Sequence, residues 1–161
     1  MEETIDYVDD NDKVIGNGFR SVIKKKRFNY RSVHIFIFNS KNELLICKRP
    51  DNKNSYPNLW TSSAGGHVSN DESYEQSAYR ELEEELGIKV KLGRRDKIKY
   101  SHPKGKLVFI ELWIGNCDEG FIFDSREIVD HKFVSINEIK KLIKKQPGDF
   151  VPMFVELLEK F

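Results

Sequence analysis

Glu81, Glu84 and Glu85 stand at positions i, i+3 and i+4 beside Arg80 in a chain of 161 residues. In a helix, about 100° of rotation per residue gathers those three carboxylates within one arc of about 100°. Ala78, Leu82, Leu86 and Tyr79 fall on the neighbouring arc, where they would face a core. Like charges crowded on one helix face repel one another and weaken the helix. A positive partner is therefore expected. Oxygen donors alone suit a hard divalent cation, Mg2+ or Mn2+, rather than zinc.

The surrounding sequence supplies the elements that would hold these groups. Ser73 with Gln76 reads as a capping box opening the acidic helix, and Gly87 is placed to end it. Upstream, residues 4–9 and 13–15 bracket Asp10-Asn11-Asp12 as a small hairpin. Residues 32–38 and 44–49 form a second hairpin about Asn39 to Asn42. Pro50 to Ser63, rich in Asp, Asn, Ser and Pro, reads as a long loop. Further strands are expected near 96–101, 106–115 and 128–135. Ser135 with Glu138 caps a helix over 136–145, Pro147-Gly148 breaks it, and a short helix follows from about 151 to 160. This order gives an α/β fold with a mixed sheet between helices.

Composition narrows the function classes. The length suits a single domain over 1–161 with a real core. Apolar content of 39%, with 12% aromatic residues, excludes a disordered chain. A formal charge of +1 argues against a nucleic-acid binder. No run approaches a membrane span, and the acidic, polar first twenty residues do not read as a secretory signal. Cys47 and Cys117 lack metal-ligand spacing and read as thiols of a reducing cytoplasm.

The pattern Gly66, five residues, Glu72, seven residues, Arg80-Glu81-Leu82, one residue, Glu84-Glu85, one residue, Gly87-Ile88 resembles a complete Nudix box. The resemblance implies an α/β/α sandwich and hydrolysis of a diphosphate linkage. It also implies that Glu81, Glu84 and Glu85 ligate Mg2+, with Mn2+ as a substitute, and that Arg80 belongs to the catalytic group. Arg80 and Glu72 are expected to hold loop and helix in register through an ion pair. A carbonyl from Gly65 would complete the coordination, and Gly65 and Gly66 let the backbone come close. Relatives often add an acidic group from outside the box. Glu127, just before the strand at 128–135, and Glu111, within the apolar strand Leu107 to Ile114, are the two candidates here.

A second layer of resemblance lies outside the box. Tyr30 to Asn39, Lys48-Arg49, Leu59 to His67 and the opening Asp6 to Asp12 look like the isopentenyl-diphosphate isomerase branch and its hydrolytic cousins. An isomerase uses a cysteine just before Gly-His, and this chain has Gly65 there. One histidine metal ligand of the isomerases is matched by Tyr30, although His67 is kept, and the later strand region reads Gly105-Lys106-Leu107-Val108. The branch chemistry is missing, so hydrolysis of a small-molecule diphosphate, such as a nucleoside diphosphate or a derivative, is expected. An isomerase and a non-catalytic ligand-binding module are the alternatives.

Arg49 is the expected phosphate ligand at a strand end. His67 is placed to touch phosphate or metal, or to serve the fold. Tyr30 and Trp60 are candidates for stacking on a base, with burial the simpler role. His34 reads as packing, and His102 and His131 carry no spacing signal. Lys24-Lys25-Lys26-Arg27 reads as a solvated face. Many relatives are dimers, so a homodimer is expected.

Overall fold

Ten residues, Asn29–Phe38, form the strand about which the molecule is built. In the computed structural model, which describes all 161 residues, this strand (β3) pairs with four others. Its partners are β1 (Thr4–Val8), β4 (Leu44–Lys48), β6 (Ala64–His67) and β8 (Leu107–Asn116). Only the pairing with β8 is parallel. β2 (Val14–Phe19) adds to β1, β5 (Trp60–Thr61) and β9 (Asp130–Val134) add to β4, and β7 (Gly93–Ser101) adds to β8. The sheet is mixed, as expected.

Alternation along the strands divides the core into two layers. On β3, Val33, Ile35 and Ile37 join Leu45 of β4 and the apolar stripe Ala78, Leu82 and Leu86 of α2 (Tyr74–Leu86). On the other face, Phe36 and Phe38 join Leu44, Ile46, Val108, Ile110 and Leu112. That face is covered by Ile139 of α3 (Ile136–Lys145) and by Phe154, Leu157 and Leu158 of α4 (Pro152–Leu158). Each fully buried Leu, Ile or Phe adds about 1.5–3 kcal/mol of transfer free energy. Helices on both faces of one sheet make the α/β/α sandwich. No helix is long and apolar enough to cross a membrane.

Local chemistry explains most boundaries. The Ser73 hydroxyl accepts from Gln76 N–H while the Gln76 side chain accepts from Ser73 N–H, and Gly87 closes α2 in the left-handed region at φ 63°. Ser135 caps α3 by accepting from Glu138 N–H. Three elements depart from the sequence reading. Arg20–Lys25 form a short helix, α1, which has no side-chain cap and buries Ile23. The expected loop from Pro50 to Ser63 contains β5, and Ala64–His67 is a strand held by β3 despite its two glycines. Tyr79 also departs: it is partly exposed, and its hydroxyl accepts from Leu92 N–H at 2.9 Å.

Candidate active site

Arg80 organises one side of the site. Its Nε donates to Glu72 Oε1 at 2.8 Å and one terminal nitrogen to Glu72 Oε2 at 2.9 Å, the expected ion pair in two-pronged form. The same nitrogen reaches the His67 carbonyl at 3.2 Å, tying helix to β6. The other terminal nitrogen donates to Glu81 at 2.8 Å and lies 3.4 Å from Glu84. Arg80 is the positive partner that the crowded carboxylates require, and its hydrogen bonds to Glu72 raise its own pKa further.

Glu81 and Glu85 sit deeper than Glu84. Burial pushes the Glu81 carboxyl up to about 7 against the pull of Arg80. Glu85 is raised well above the ordinary range by burial and then by the Glu81 charge. Its Oε1 accepts from Gly65 N–H at 2.9 Å. Glu84 is more than half exposed. No three carboxylates close on a common point in this conformation, because Glu81 and Glu84 turn to Arg80 and Glu85 to Gly65. Two neighbouring buried carboxylates served by one guanidinium still lack positive charge. An all-oxygen donor set with that deficit fits a hard divalent cation.

A side chain at either glycine would force a neighbour to move, at Gly66 the Glu81 carboxylate and at Gly65 the backbone of β3. A Cβ on Gly66 would stand 2.2 Å from Glu81 Oε1, and one on Gly65 would stand 2.8 Å from the Val33 carbonyl oxygen. β6 therefore runs beside β3 and against α2 with no side chain at Gly65 and Gly66, where Glu81 and Glu85 come close to its backbone.

On the other side of β6 opens a chamber of about 380 Å3. Tyr30, Ser32 and His34, alternate residues of one β3 face, line it. Ser32 and His34 interrupt an otherwise apolar stripe: the Ser32 hydroxyl donates to the Gly66 carbonyl at 2.9 Å, and His34 Nδ1 shares a 2.6 Å hydrogen bond with Ser62. Burial, then the charge of Arg49, holds His34 at about 4, so the ring is neutral at pH 7. His67 is lowered well below its ordinary range by burial and then by Lys24. Its ring lies 5.0 Å from that of Tyr30, whose hydroxyl burial pushes up to about 12.

Most residues singled out in the sequence meet here. Gly65, His67, Glu85 and Glu127 border both the chamber and the acidic trough that holds Glu81, Glu84 and Arg80. Arg49 and Tyr30 line the chamber. Arg49 is anchored by two hydrogen bonds to the Ser55 carbonyl, at 2.9 and 3.1 Å. Glu127 accepts from Lys53 at 2.8 Å. Its loop is tied to the box helix, for Ile122 N–H donates to the Leu86 carbonyl and Asp124 N–H to the Glu85 carbonyl.

Two candidates fall outside. Trp60 does not line the chamber; its ring lies beneath Lys132 Nζ at 4.6 Å and Lys48 Nζ at 5.9 Å. Glu111 is buried in β8, where it accepts from Arg94 at 3.2 Å and from the Trp113 indole at 3.1 Å. Those partners are the reason for its charge in an apolar strand. Conversely, Lys24 leaves the expected solvated face for the chamber wall, where it meets Lys104, Lys106 and His102. No spacing signal marks Lys24. His34 and Ser62 carried one weak signal, polar groups within an apolar or turn-rich context.

The NUDIX domain model matches residues 29–154. An isopentenyl-diphosphate Delta-isomerase 2 of Photorhabdus laumondii is 30% identical over 98% of this chain and 92% of its own. A prenyl-diphosphate phosphatase of Methanosarcina mazei is 30% identical over 94% of this chain and 91% of its own. In fold, the chain is similar to the crystal structure of DR0079 from Deinococcus radiodurans, with a TM-score of 0.87, 23% identity and 98% of each chain covered.

Proposed function

The chain belongs to the Nudix hydrolase family, and on that premise we propose that it cleaves the diphosphate linkage of a nucleoside diphosphate or related small molecule by attack of water at phosphorus. The family's general chemistry is hydrolysis of pyrophosphate linkages with a divalent metal. The observation that carries the reading is the buried pair Glu81 and Glu85, brought together beside glycines where a side chain would force a neighbour to move. Mg2+, with Mn2+ as a substitute, would be held by Glu81, Glu84 and Glu85, joined by the Gly65 carbonyl and Glu127. When bound, it neutralises the diphosphate and polarises its phosphoryl oxygens. Arg80 pulls Glu81 toward its charged form against burial and fixes its rotamer, and Glu72 in turn fixes Arg80. Arg49 is anchored where it can meet a phosphate, and His67 and Tyr30 form the chamber wall beside it. The neutral His67 ring takes part by hydrogen bonding rather than by charge. We place this action in the cytoplasm, on small molecules, with a homodimer as the expected assembly.

The isomerase relative gives a second reading some support, since it spans nearly the whole chain. It meets a steric obstacle here. The cysteine that the isomerases carry would replace Gly65, where a Cβ would stand 2.8 Å from the Val33 carbonyl oxygen. The chain then has no acid placed to protonate a carbon–carbon double bond. Phosphate release across nucleoside diphosphate compounds and isopentenyl diphosphate, with Mg2+ and then with EDTA, tests the proposal. Release from at least one nucleoside compound, only with metal, is expected. Full turnover after exhaustive chelation would contradict it.

A further inference from the structure

The chamber wall around Tyr30 carries positive charge that hydrolysis of a diphosphate leaves unused. Lys106 is 4% exposed, lines the chamber, and makes no ion pair or hydrogen bond through its ammonium group. Its one close partner is the Tyr30 ring, with Nζ 5.1 Å from the centroid. Lys24 Nζ lies 5.9 Å from the same ring, and Lys104 lines the same wall. The body of the Lys106 side chain is buried while its ammonium opens into the chamber, so the charge faces the cavity with no anionic partner of its own. The chamber's two carboxylates do not pair with it: Glu85 is held by Gly65 N–H and Glu127 by Lys53. Burial and then positive neighbours, Arg20, Lys106, Arg49 and Lys104, lower Lys24 to about 8. Burial, then Lys104 and Arg27, lowers Lys106.

The sheet register sets the distance between this wall and the box. Tyr30 pairs with Val108, two residues beyond Lys106, whereas His34 pairs with Gly65, whose N–H holds Glu85. Tyr30 and His34 are four residues apart on β3, about 13 Å at roughly 3.3 Å per residue. The lysine wall and the box carboxylates therefore lie at opposite ends of this stretch of β3.

We propose that Lys106, Lys24 and Lys104 form a second anion subsite, which takes a phosphate monoester that the substrate carries apart from its diphosphate. The substrate class is then a small organic diphosphate with a separate phosphate, such as a nucleoside 5′-diphosphate phosphorylated on its ribose. This rests on the reading that the diphosphate lies at the box carboxylates.

Calorimetric binding with Ca2+ as the hard cation at the oxygen donors, with phosphate release followed alongside to correct for turnover, separates the two claims. The probes are adenosine 5′-diphosphate, the same nucleotide with a 3′-phosphate, and adenosine 5′-triphosphate. The 3′-phosphate is expected to tighten binding to the native chain by roughly tenfold or more, as for a charge-assisted hydrogen bond. Lys106→Gln and Lys24→Gln should each reduce that gain, and Lys106→Arg should keep most of it, with thermal melts confirming that each variant is folded. Lys24 lies on a short surface helix, so Lys24→Gln remains informative if Lys106→Gln does not fold. No gain from the 3′-phosphate, an equal gain from the linear triphosphate, or a gain untouched by both glutamine variants would overturn the subsite. Phosphate release with Mg2+ is measured in parallel. A chain that keeps the binding gain but releases no phosphate from either diphosphate retains the subsite and loses the hydrolase reading.

Discussion

Single side chains separate chemistry from stability in this molecule. Glu84→Gln and Glu85→Gln keep side-chain shape and remove a negative donor, so kcat should fall by roughly 100-fold or more in steady-state assays. Glu85→Gln should melt no lower than the native chain, because it removes a buried charge raised by burial and by Glu81. Glu83 is exposed on the opposite side of the helix, 3.4 Å from Lys89, and Glu83→Gln should leave kcat within about twofold. Equal damage from Glu83→Gln and Glu84→Gln would contradict the assigned faces. Lys24 gives a pH signature. The folded chain releases its proton near pH 8, while the unfolded chain holds it to about 10.5. Below pH 8 the cost of the buried charge is fully present, and stability recovers as pH rises through that window. Lys24→Met should therefore raise Tm by several degrees at pH 7 and by less at pH 10. An equal shift at both pH values would show that Lys24 is not desolvated.

The elements show how much of the fold can be read from local sequence, and where reading fails. Helix α2 is fully specified by its neighbours: Ser73 and Gln76 open it, Gly87 closes it, and its apolar stripe faces the sheet. Helix α3 is equally legible from Ser135 and Pro147. Helix α1 is not, since six residues opening on Phe19 without a cap take shape from burial of Ile23. β6 was hidden for a related reason. Glycines disfavour a strand locally, and only pairing with β3 and the need to admit Glu81 explain Gly65-Gly66. The box carboxylates were legible because helical spacing alone gathers them. The chamber was legible only in part: Tyr30, Arg49 and His67 stood out in the sequence, whereas Lys24 of α1 and Lys106 join them only through tertiary packing. Gly87 links the helix end to the loop that carries Glu127. A Cβ there would stand 2.7 Å from the Ile122 Cβ, at a φ of 63°. Gly87→Ala should cost about 1–3 kcal/mol in denaturant unfolding, and a cost below the lower figure would show that the loop yields freely.

At the scale of the whole molecule, one mixed sheet separates two layers, and the site lies where β6 lets them meet. Helix α2 brings carboxylates from one face, and the face beneath α3 and α4 supplies the basic chamber. This opposition of sign, acid on one side of a glycine strand and base on the other, suits a metal-assisted reaction of a polyanion. Folding and cation binding should be linked. Mg2+ at 100 times its dissociation constant should add about 2.7 kcal/mol to unfolding of the native chain, and Glu85→Gln should lose most of that gain in thermal melts. The most direct test of hydrolysis at the box is turnover in 18O-labelled water with Mg2+, followed by mass analysis of the products. One 18O atom should appear in a phosphate group cleaved from a nucleoside diphosphate compound. Interconversion of isopentenyl and dimethylallyl diphosphate at an enzymatic rate, with no label in phosphate, would contradict the account.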